Sequence, residues 1–262
     1  MLRFCANVSL MFTQYPFLER FEALRRAGFK AAELIDAYSV TPEELAAACR
    51  KAGVEVANFN TPVGNRAAGD VGFACVPGRE AEFRASVAKA LIYGEAVGCK
   101  QINVLAGIQP KDVSRKACVD LLAQNLNHAA DEMAKRGIKC SVEAINGKDR
   151  PGYLLNTTDQ AVEAVTLAGN KNLGIEADIY HMGVMGEDIV AAFRKHARHV
   201  VHVQFADVPG RHEPGTGALD FQAIFKTLED IGYKGWVSAE YDPSTTTEDT
   251  LAWYKPWRDR AA

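Results

Sequence analysis

Short apolar runs alternate along this chain with longer stretches in which apolar residues recur at helical spacing. The runs at 3–8, 30–35, 54–60, 100–106, 138–145, 172–178, 200–206 and 235–241 read as strands. The stretches at 16–27, 42–52, 79–97, 112–136, 158–168, 187–197, 220–231 and 246–254 read as amphipathic helices. Eight strands in strict alternation with eight helices predict a parallel sheet. Punctuation supports that count. Gly28, Gly53, Gly98, Gly137 and Gly232 each follow a helix, where glycine closes the last turn without steric penalty. Thr41-Pro42-Glu43-Glu44 supplies an N-cap, a proline at the first helical position and an acid in the first turn. Without a GxGxxG after the first strand, a dinucleotide-binding open sheet is disfavoured. The expectation is an α/β protein folded as a (β/α)8 TIM barrel, one domain spanning 1–262. The longest irregular stretch, 61–78, is expected to cover an active site.

The last four strands carry the chemistry. Side chains two residues apart share a strand face. Ser141 and Glu143, Glu176 and Asp178, His202 and Gln204, Ser238 and Glu240 therefore pair up, each pair with an apolar residue between. Helices cover the outside of a barrel, so the apolar face points outward and the polar face inward. Each pair lies at the C-terminal end of its strand, where barrel enzymes place their active sites. One such residue alone is an ordinary solvated strand end; four successive strands in the same phase are not. Converging carboxylates repel each other and suffer desolvation, a conflict that a divalent cation resolves. Oxygen ligands without cysteine favour Mg²⁺ or Mn²⁺ over zinc.

Around that cluster, His181 follows Asp178 closely. It is either a loop histidine capping a backbone group or a hydrogen-bond partner for substrate. His202 lies one layer below Gln204 and is placed to orient it. His128, His196 and His199, in or beside helices, are expected at the surface. The turn-rich run from Pro209 to Gly217 carries Arg211, which can pair bidentately with a carboxylate.

Composition narrows the function classes. The chain has 262 residues, 48% hydrophobic, with a net charge of −3, so no basic surface recommends nucleic acid. The six cysteines are scattered without a CxxC pair, as expected of free thiols in a reducing compartment. No apolar run approaches the ~20 residues needed to span a bilayer, and the start lacks a signal-peptide pattern. A cytoplasmic protein with a small-molecule substrate, no nucleic acid and no membrane is the expectation. Trp253, Tyr254 and Trp257 are candidates for a contact in a homo-oligomer or for packing the last helix under the barrel.

At these residues the chain resembles the hydroxypyruvate isomerase family, within the xylose isomerase-like TIM barrels. The resemblance runs nearly end to end. It is carried by Arg3-Phe4-Cys5-Ala6-Asn7, Ala68-Gly69, Pro77-Gly78-Arg79, Val142-Glu143-Ala144-Ile145-Asn146, Asp178-Ile179-Tyr180-His181-Met182, Arg211-His212-Glu213-Pro214-Gly215-Thr216-Gly217 and Glu240-Tyr241. It implies that Glu143, Asp178, Gln204 and Glu240 bind a divalent metal and that Glu143 and Glu240 are the acid/base pair. The implied reaction interconverts hydroxypyruvate and 2-hydroxy-3-oxopropanoate (tartronate semialdehyde) through an enediolate. His181 and Arg211 are the expected substrate-binding residues. Related ketose 3-epimerases usually carry histidine where this chain has Gln204, which points away from sugar epimerases. The 2-oxo-tetronate isomerases share most of these motifs and remain an alternative. A lyase or dehydratase on the same scaffold is a weaker one. A non-catalytic sugar-binding barrel is the rival of a different class; it need not keep three buried carboxylates.

Overall fold

The computed structural model describes residues 1–258; the remainder of the expected 1–262 domain lies outside the described residues. Eight strands, β1 (Arg3–Asn7), β2 (Ala31–Leu34), β3 (Glu55–Phe59), β4 (Gln101–Val104), β5 (Lys139–Glu143), β6 (Leu173–Asp178), β7 (Val200–Phe205) and β8 (Trp236–Ala239), fall within the eight predicted runs. All neighbouring pairs are parallel, in the order β3-β2-β1-β8-β7-β6-β5-β4. The remaining seam, between β3 and β4, is joined just past the strand ends. Asn60 and Asn103 form a parallel bridge, the Thr61 amide donates to the Asn103 carbonyl at 2.8 Å, and the Asn103 side chain donates to Asn60 Oδ1 at 2.9 Å. The expected barrel is thus observed.

The helices are α1 (Arg20–Arg26), α2 (Pro42–Ala52), α3 (Glu80–Val97), α4 (Arg115–Ala134), α5 (Thr158–Ala168), α6 (Ile179–Met185), α7 (Ile189–His196), α8 (Phe221–Asp230) and α9 (Lys255–Arg258). The predicted capping box of α2 is formed: Thr41 Oγ1 accepts from Glu44 N at 3.2 Å and Glu44 Oε2 from Thr41 N at 2.8 Å. Three elements differ from the pattern reading, α9 being one that no predicted stretch covers. The segment after Asp178 is a helix, α6, rather than a loop, because Asp178 ends its strand and caps the next element at once, accepting from Tyr180 N at 2.8 Å. The stretch expected as a helix at 246–254 is a 3-10 helix, Glu248–Tyr254, kinked at Leu251.

Pleat phase sorts the side chains as expected. Val142, Ala177, Val203 and Ala239 are buried beneath the helices, while their polar neighbours are buried inside the barrel. The register shifts between Ala32 and Glu33 in β2 and between Ile175 and Glu176 in β6. Such irregularities re-aim a side chain, and here each precedes a buried carboxylate. At the N-terminal end, Phe4 meets Phe225, Trp253 and Trp257 at centroid distances of 5.2, 5.5 and 5.1 Å, and Tyr254 stacks on Phe29 at 4.1 Å. The C-terminal aromatics therefore pack the base of the barrel. Truncating Phe4 to alanine there would cost about 3–5 kcal/mol.

Candidate functional site

A cavity of about 460 Å³ opens at the C-terminal mouth of the barrel, lined among others by Asn60, Arg66, Glu143, His181, Arg211 and Glu240. A cavity of similar volume, about 470 Å³, lies at the opposite end beside Leu2, Phe4 and Trp236. Among the described residues it has one lining carboxylate, Glu55, 3.9 Å from Arg3. Ionisable side chains converge at the mouth instead.

Two loops build the walls. The loop after β3 contains a 3-10 turn, Arg66–Ala68, and is fastened by Arg79, which donates to both carboxylate oxygens of Asp70 at 2.9 and 2.8 Å. Its Gly72 lies so close to β4 that a Cβ there would come within 2.4 Å of the Leu105 carbonyl oxygen. The loop after β7 is wrapped around one buried carboxylate. Asp207 accepts from the backbone amides of Val208, Gly215, Gly217 and Leu219 at 2.8, 2.8, 2.9 and 3.1 Å. Arg211 sits on this loop at φ 59, a left-handed conformation that a non-glycine residue keeps only when its surroundings enforce it. Hydrogen bonds from Arg211 N to the Asp207 carbonyl and from Asp242 N to the Arg211 carbonyl, 3.1 and 2.9 Å, supply that enforcement.

Of the six residues singled out in the sequence, Glu143, His181, Arg211 and Glu240 line the cavity, while Asp178 and Gln204 are buried register partners on β6 and β7 that are not among its lining residues. Glu143, Asp178, Gln204, Glu240 and His181 are 2–5% exposed, and Arg211 is half-buried. Glu143, Asp178 and His181 bring two carboxylate oxygens and a ring nitrogen within 4.8 Å of one another. Arg211 bridges the rest, its Nη2 2.6 Å from Glu240 Oε2 and 3.8 Å from Asp178 Oδ2, with its guanidinium 4.9 Å from the Tyr180 ring. The arginine expected to meet a substrate carboxylate thus rests on carboxylates of the protein. Burial alone would lower its pKa; Glu240, Asp178 and Glu143 outweigh that and hold it charged.

Two oxygens decide what the cluster can accept. Asp178 spends Oδ1 on the Tyr180 amide, and its Oδ2 makes no hydrogen bond. Gln204 donates Nε2 to Glu33, and its Oε1 likewise has no hydrogen-bond partner. Both are buried. Unsatisfied buried acceptors are costly, and an oxygen-loving cation satisfies them. The donor set present therefore fits a divalent metal.

His181 belongs to the cluster in a defined protonation state. Asn146 Oδ1 accepts from the amides of Lys148 and Asp149 at 3.1 and 2.8 Å, so its Nδ2 must be the atom 2.7 Å from His181 Nδ1. That nitrogen therefore accepts, and on this hydrogen-bond network the proton sits on Nε2. Burial lowers the pKa of His181, which keeps the ring neutral. Its Nε2–H faces Asp178 Oδ2 at 3.5 Å and Glu143 Oε1 at 3.7 Å. A histidine nitrogen that carries a proton is a donor, not a metal ligand. Burial is also the largest influence on Glu143 and Glu240. It pushes both carboxyls well up, reinforced at Glu143 by Glu240 and Asp178 and opposed at Glu240 by Arg211.

Pattern reading passed over the groups that support this cluster. Glu33, at the end of β2, is buried and bonds to both His202 and Gln204. His202 therefore acts on Gln204 only through Glu33. Asn7 donates to Glu33 Oε1 and Glu240 Oε1, both at 3.0 Å, and Asn103 donates to Glu143 Oε2 at 3.3 Å. The available signal was a lone carboxylate within the apolar run Ala31-Ala32-Glu33-Leu34 and asparagines near the ends of β1, β3 and β4. One further expectation is corrected: His196 is buried, because it packs inward from α7 and bonds to Asp159.

Residues 21–257 match the family described as xylose isomerase-like TIM barrel. The chain is 42% identical to hydroxypyruvate isomerase from Escherichia coli, over 98% of this chain and 100% of that protein. It is 37% identical to 2-oxo-tetronate isomerase from Cupriavidus necator, over 99% of this chain and 100% of that protein. A crystal structure described as AP endonuclease, family 2, from Brucella melitensis superposes with a TM-score of 0.96 at 39% identity, covering 99% of this chain and 100% of that one. With its barrel, its cluster at the mouth and these relatives, the chain belongs to the xylose isomerase-like TIM barrel family, and within it to the isomerases.

Proposed function

We propose that this protein interconverts hydroxypyruvate and 2-hydroxy-3-oxopropanoate in a divalent-metal-dependent reaction, with Glu143 and Glu240 as the catalytic pair. The observation that carries the reading is the pair of buried, unsatisfied oxygens, Asp178 Oδ2 and Gln204 Oε1, beside two buried glutamates. Glu143, Asp178, Gln204 and Glu240 would hold Mg²⁺ or Mn²⁺, which as a Lewis acid stabilises negative charge developing on substrate oxygens. The residues supply the proton transfers. One glutamate takes the proton from the carbon next to the carbonyl, giving the enediolate; the other assists its return one carbon away. Burial raises the pKa of both carboxyls, which strengthens each as a proton acceptor. His181 Nε2–H, fixed by Asn146, is a neutral donor for a substrate oxygen. Arg211, on its pinned loop, exchanges its contact with Glu240 for the substrate carboxylate.

A four-carbon 2-oxo-tetronate is the second reading. The cavity of about 460 Å³ leaves room for a longer acid, and exposed Arg66 and Arg150 line its rim. The chain is read as cytoplasmic because its six cysteines are free and buried; none of the described helices is long and apolar enough to cross a membrane. The test is an isomerase assay on hydroxypyruvate, 2-oxo-tetronate and ketoses, run after EDTA treatment and again with added Mg²⁺ or Mn²⁺. Turnover of hydroxypyruvate that vanishes with EDTA and returns with metal is expected. Undiminished turnover in the metal-free protein refutes the metal dependence, and preference for the longer acid selects the second reading.

A further inference from the structure

An amide ligand poses a problem that a carboxylate does not. Gln204 must present oxygen to the site, yet its two ends are nearly the same size, and turned over it would present a donor. Local sequence does not choose between the two. The choice is made from across the barrel. Gln204 Nε2 donates to Glu33 Oε1, so Oε1 of Gln204 faces away from Glu33, and it is the atom without a hydrogen-bond partner. Glu33 Oε2 takes a hydrogen bond from His202 Nε2, two residues below on the same strand. Asn7 completes the arrangement. Its Oδ1 accepts from Ser9 N at 2.9 Å, which turns Nδ2 inward to donate to both Glu33 Oε1 and Glu240 Oε1 at 3.0 Å. Three donors from two other strands thus end on one carboxylate that is 1% exposed.

We propose that Glu33 is a positioning residue: by accepting from Gln204, His202 and Asn7 together it fixes the amide of Gln204 oxygen-first and, through Asn7, the carboxylate of Glu240. This rests on the metal reading given above. A carboxylate accepts at both ends; an amide accepts at one and donates at the other. Glu33→Gln is therefore nearly isosteric but places a donor against either Gln204 Nε2 or His202 Nε2. The relief open to Gln204 is to turn its amide over, which removes its oxygen from the site.

The experiment is Mn²⁺ binding by titration calorimetry and electron paramagnetic resonance on the parent, Glu33→Gln, Gln204→Glu and the swapped double variant, with melting temperature recorded for each. Groups that orient metal ligands typically contribute about ten- to hundredfold in affinity, so Glu33→Gln is expected to weaken Mn²⁺ by that factor while the melting temperature stays near the parent's. The swap is expected to recover part of the loss, because the amide at position 33 then donates to a carboxylate at 204 and accepts from His202, while Asn7 Nδ2 loses its acceptor at position 33 and keeps the one on Glu240. Parental affinity in Glu33→Gln, or a swap that binds no more tightly than the single variants, overturns the proposal. If Glu33→Gln does not fold, the swap is compared with Gln204→Glu alone, and equal affinity overturns it. A parent that binds neither Mn²⁺ nor Mg²⁺ instead overturns the metal reading itself.

Discussion

The two halves of the barrel contribute different chemistry to the same mouth. β5 to β8 end in hydrogen-bond acceptors, the proposed metal ligands: Glu143, Asp178, Gln204 and Glu240. β1, β3 and β4 carry amides at or near their ends: Asn7, Asn58, Asn60 and Asn103. Three of these amides point their donors at carboxylates, Asn7 at Glu240, Asn103 at Glu143 and Asn58 at Glu176, the last at 2.7 Å, while Asn60 donates to the Ile35 carbonyl. One half holds the charge and the other holds it still. A neutral donor orients a buried carboxylate without neutralising it, so the cationic group that offsets Glu240 and Asp178 comes from a loop, Arg211, and not from the strands. Glu33 on β2 is the exception on the donor side, and it serves to aim an amide on the acceptor side.

That division of labour can be broken at several levels. The largest effect is expected on the acceptor side. Glu143→Gln or Glu240→Gln should lower kcat by about 10²–10⁴-fold, the usual cost of a general base, with the melting temperature retained; near-parental rates in either variant would remove it from the catalytic pair. The donor side should cost less and should divide. Asn103→Leu, which frees Glu143, is expected to reduce kcat or Mn²⁺ affinity about ten- to hundredfold. Asn58→Leu frees Glu176, one layer deeper, and should lower stability by about 1–3 kcal/mol while leaving Mn²⁺ affinity near the parent's. Equal losses of affinity in the two variants would dissolve the distinction between the mouth and the layer beneath it.

The smallest effect lies outside both halves, in the loop after β3. Hydrogen bonds from Arg79 hold the Asp70 carboxyl below its ordinary value of 3.8. A depressed carboxylate adds stability above its unfolded pKa and loses it as pH falls through the folded value. Protection of residues 65–76 against hydrogen exchange, taken relative to the intrinsic rate at each pH, should therefore hold down to about pH 4 and fall below it, a window set by the unperturbed aspartate value. In Arg79→Ala that acid-triggered step should disappear while the barrel strands stay protected. The same acid step in the variant would show that the Asp70–Arg79 contact is not its source.

Much of the candidate site was legible before any coordinates. The period of two along β5 to β8 puts Glu143, Asp178, Gln204 and Glu240 inside the barrel at the strand ends, and a local repeat is all that this requires. His181 was legible as a neighbour of Asp178 but not as a helical residue, because Asp178 caps α6 with no turn residue to announce it. Glu33 and the asparagines were not legible as a supporting set. A single polar residue at the end of a short apolar strand reads as a strand end, and its partners are distant: Glu33 and Gln204 are separated by 171 positions, Asn7 and Glu240 by 233.

Sequence by itself determined the strand–helix alternation, the buried face of each strand and the end of the barrel where the carboxylates gather, because these follow from periodicity and capping over a few residues. Tertiary structure alone decided which donor meets which acceptor: the direction of the Gln204 amide, the proton on His181 Nε2, the pairing of Arg211 with Glu240 and the wrapping of its loop around Asp207. Those choices depend on barrel closure, which brings strands from opposite ends of the chain within hydrogen-bond distance, and no local pattern encodes a distance of that kind.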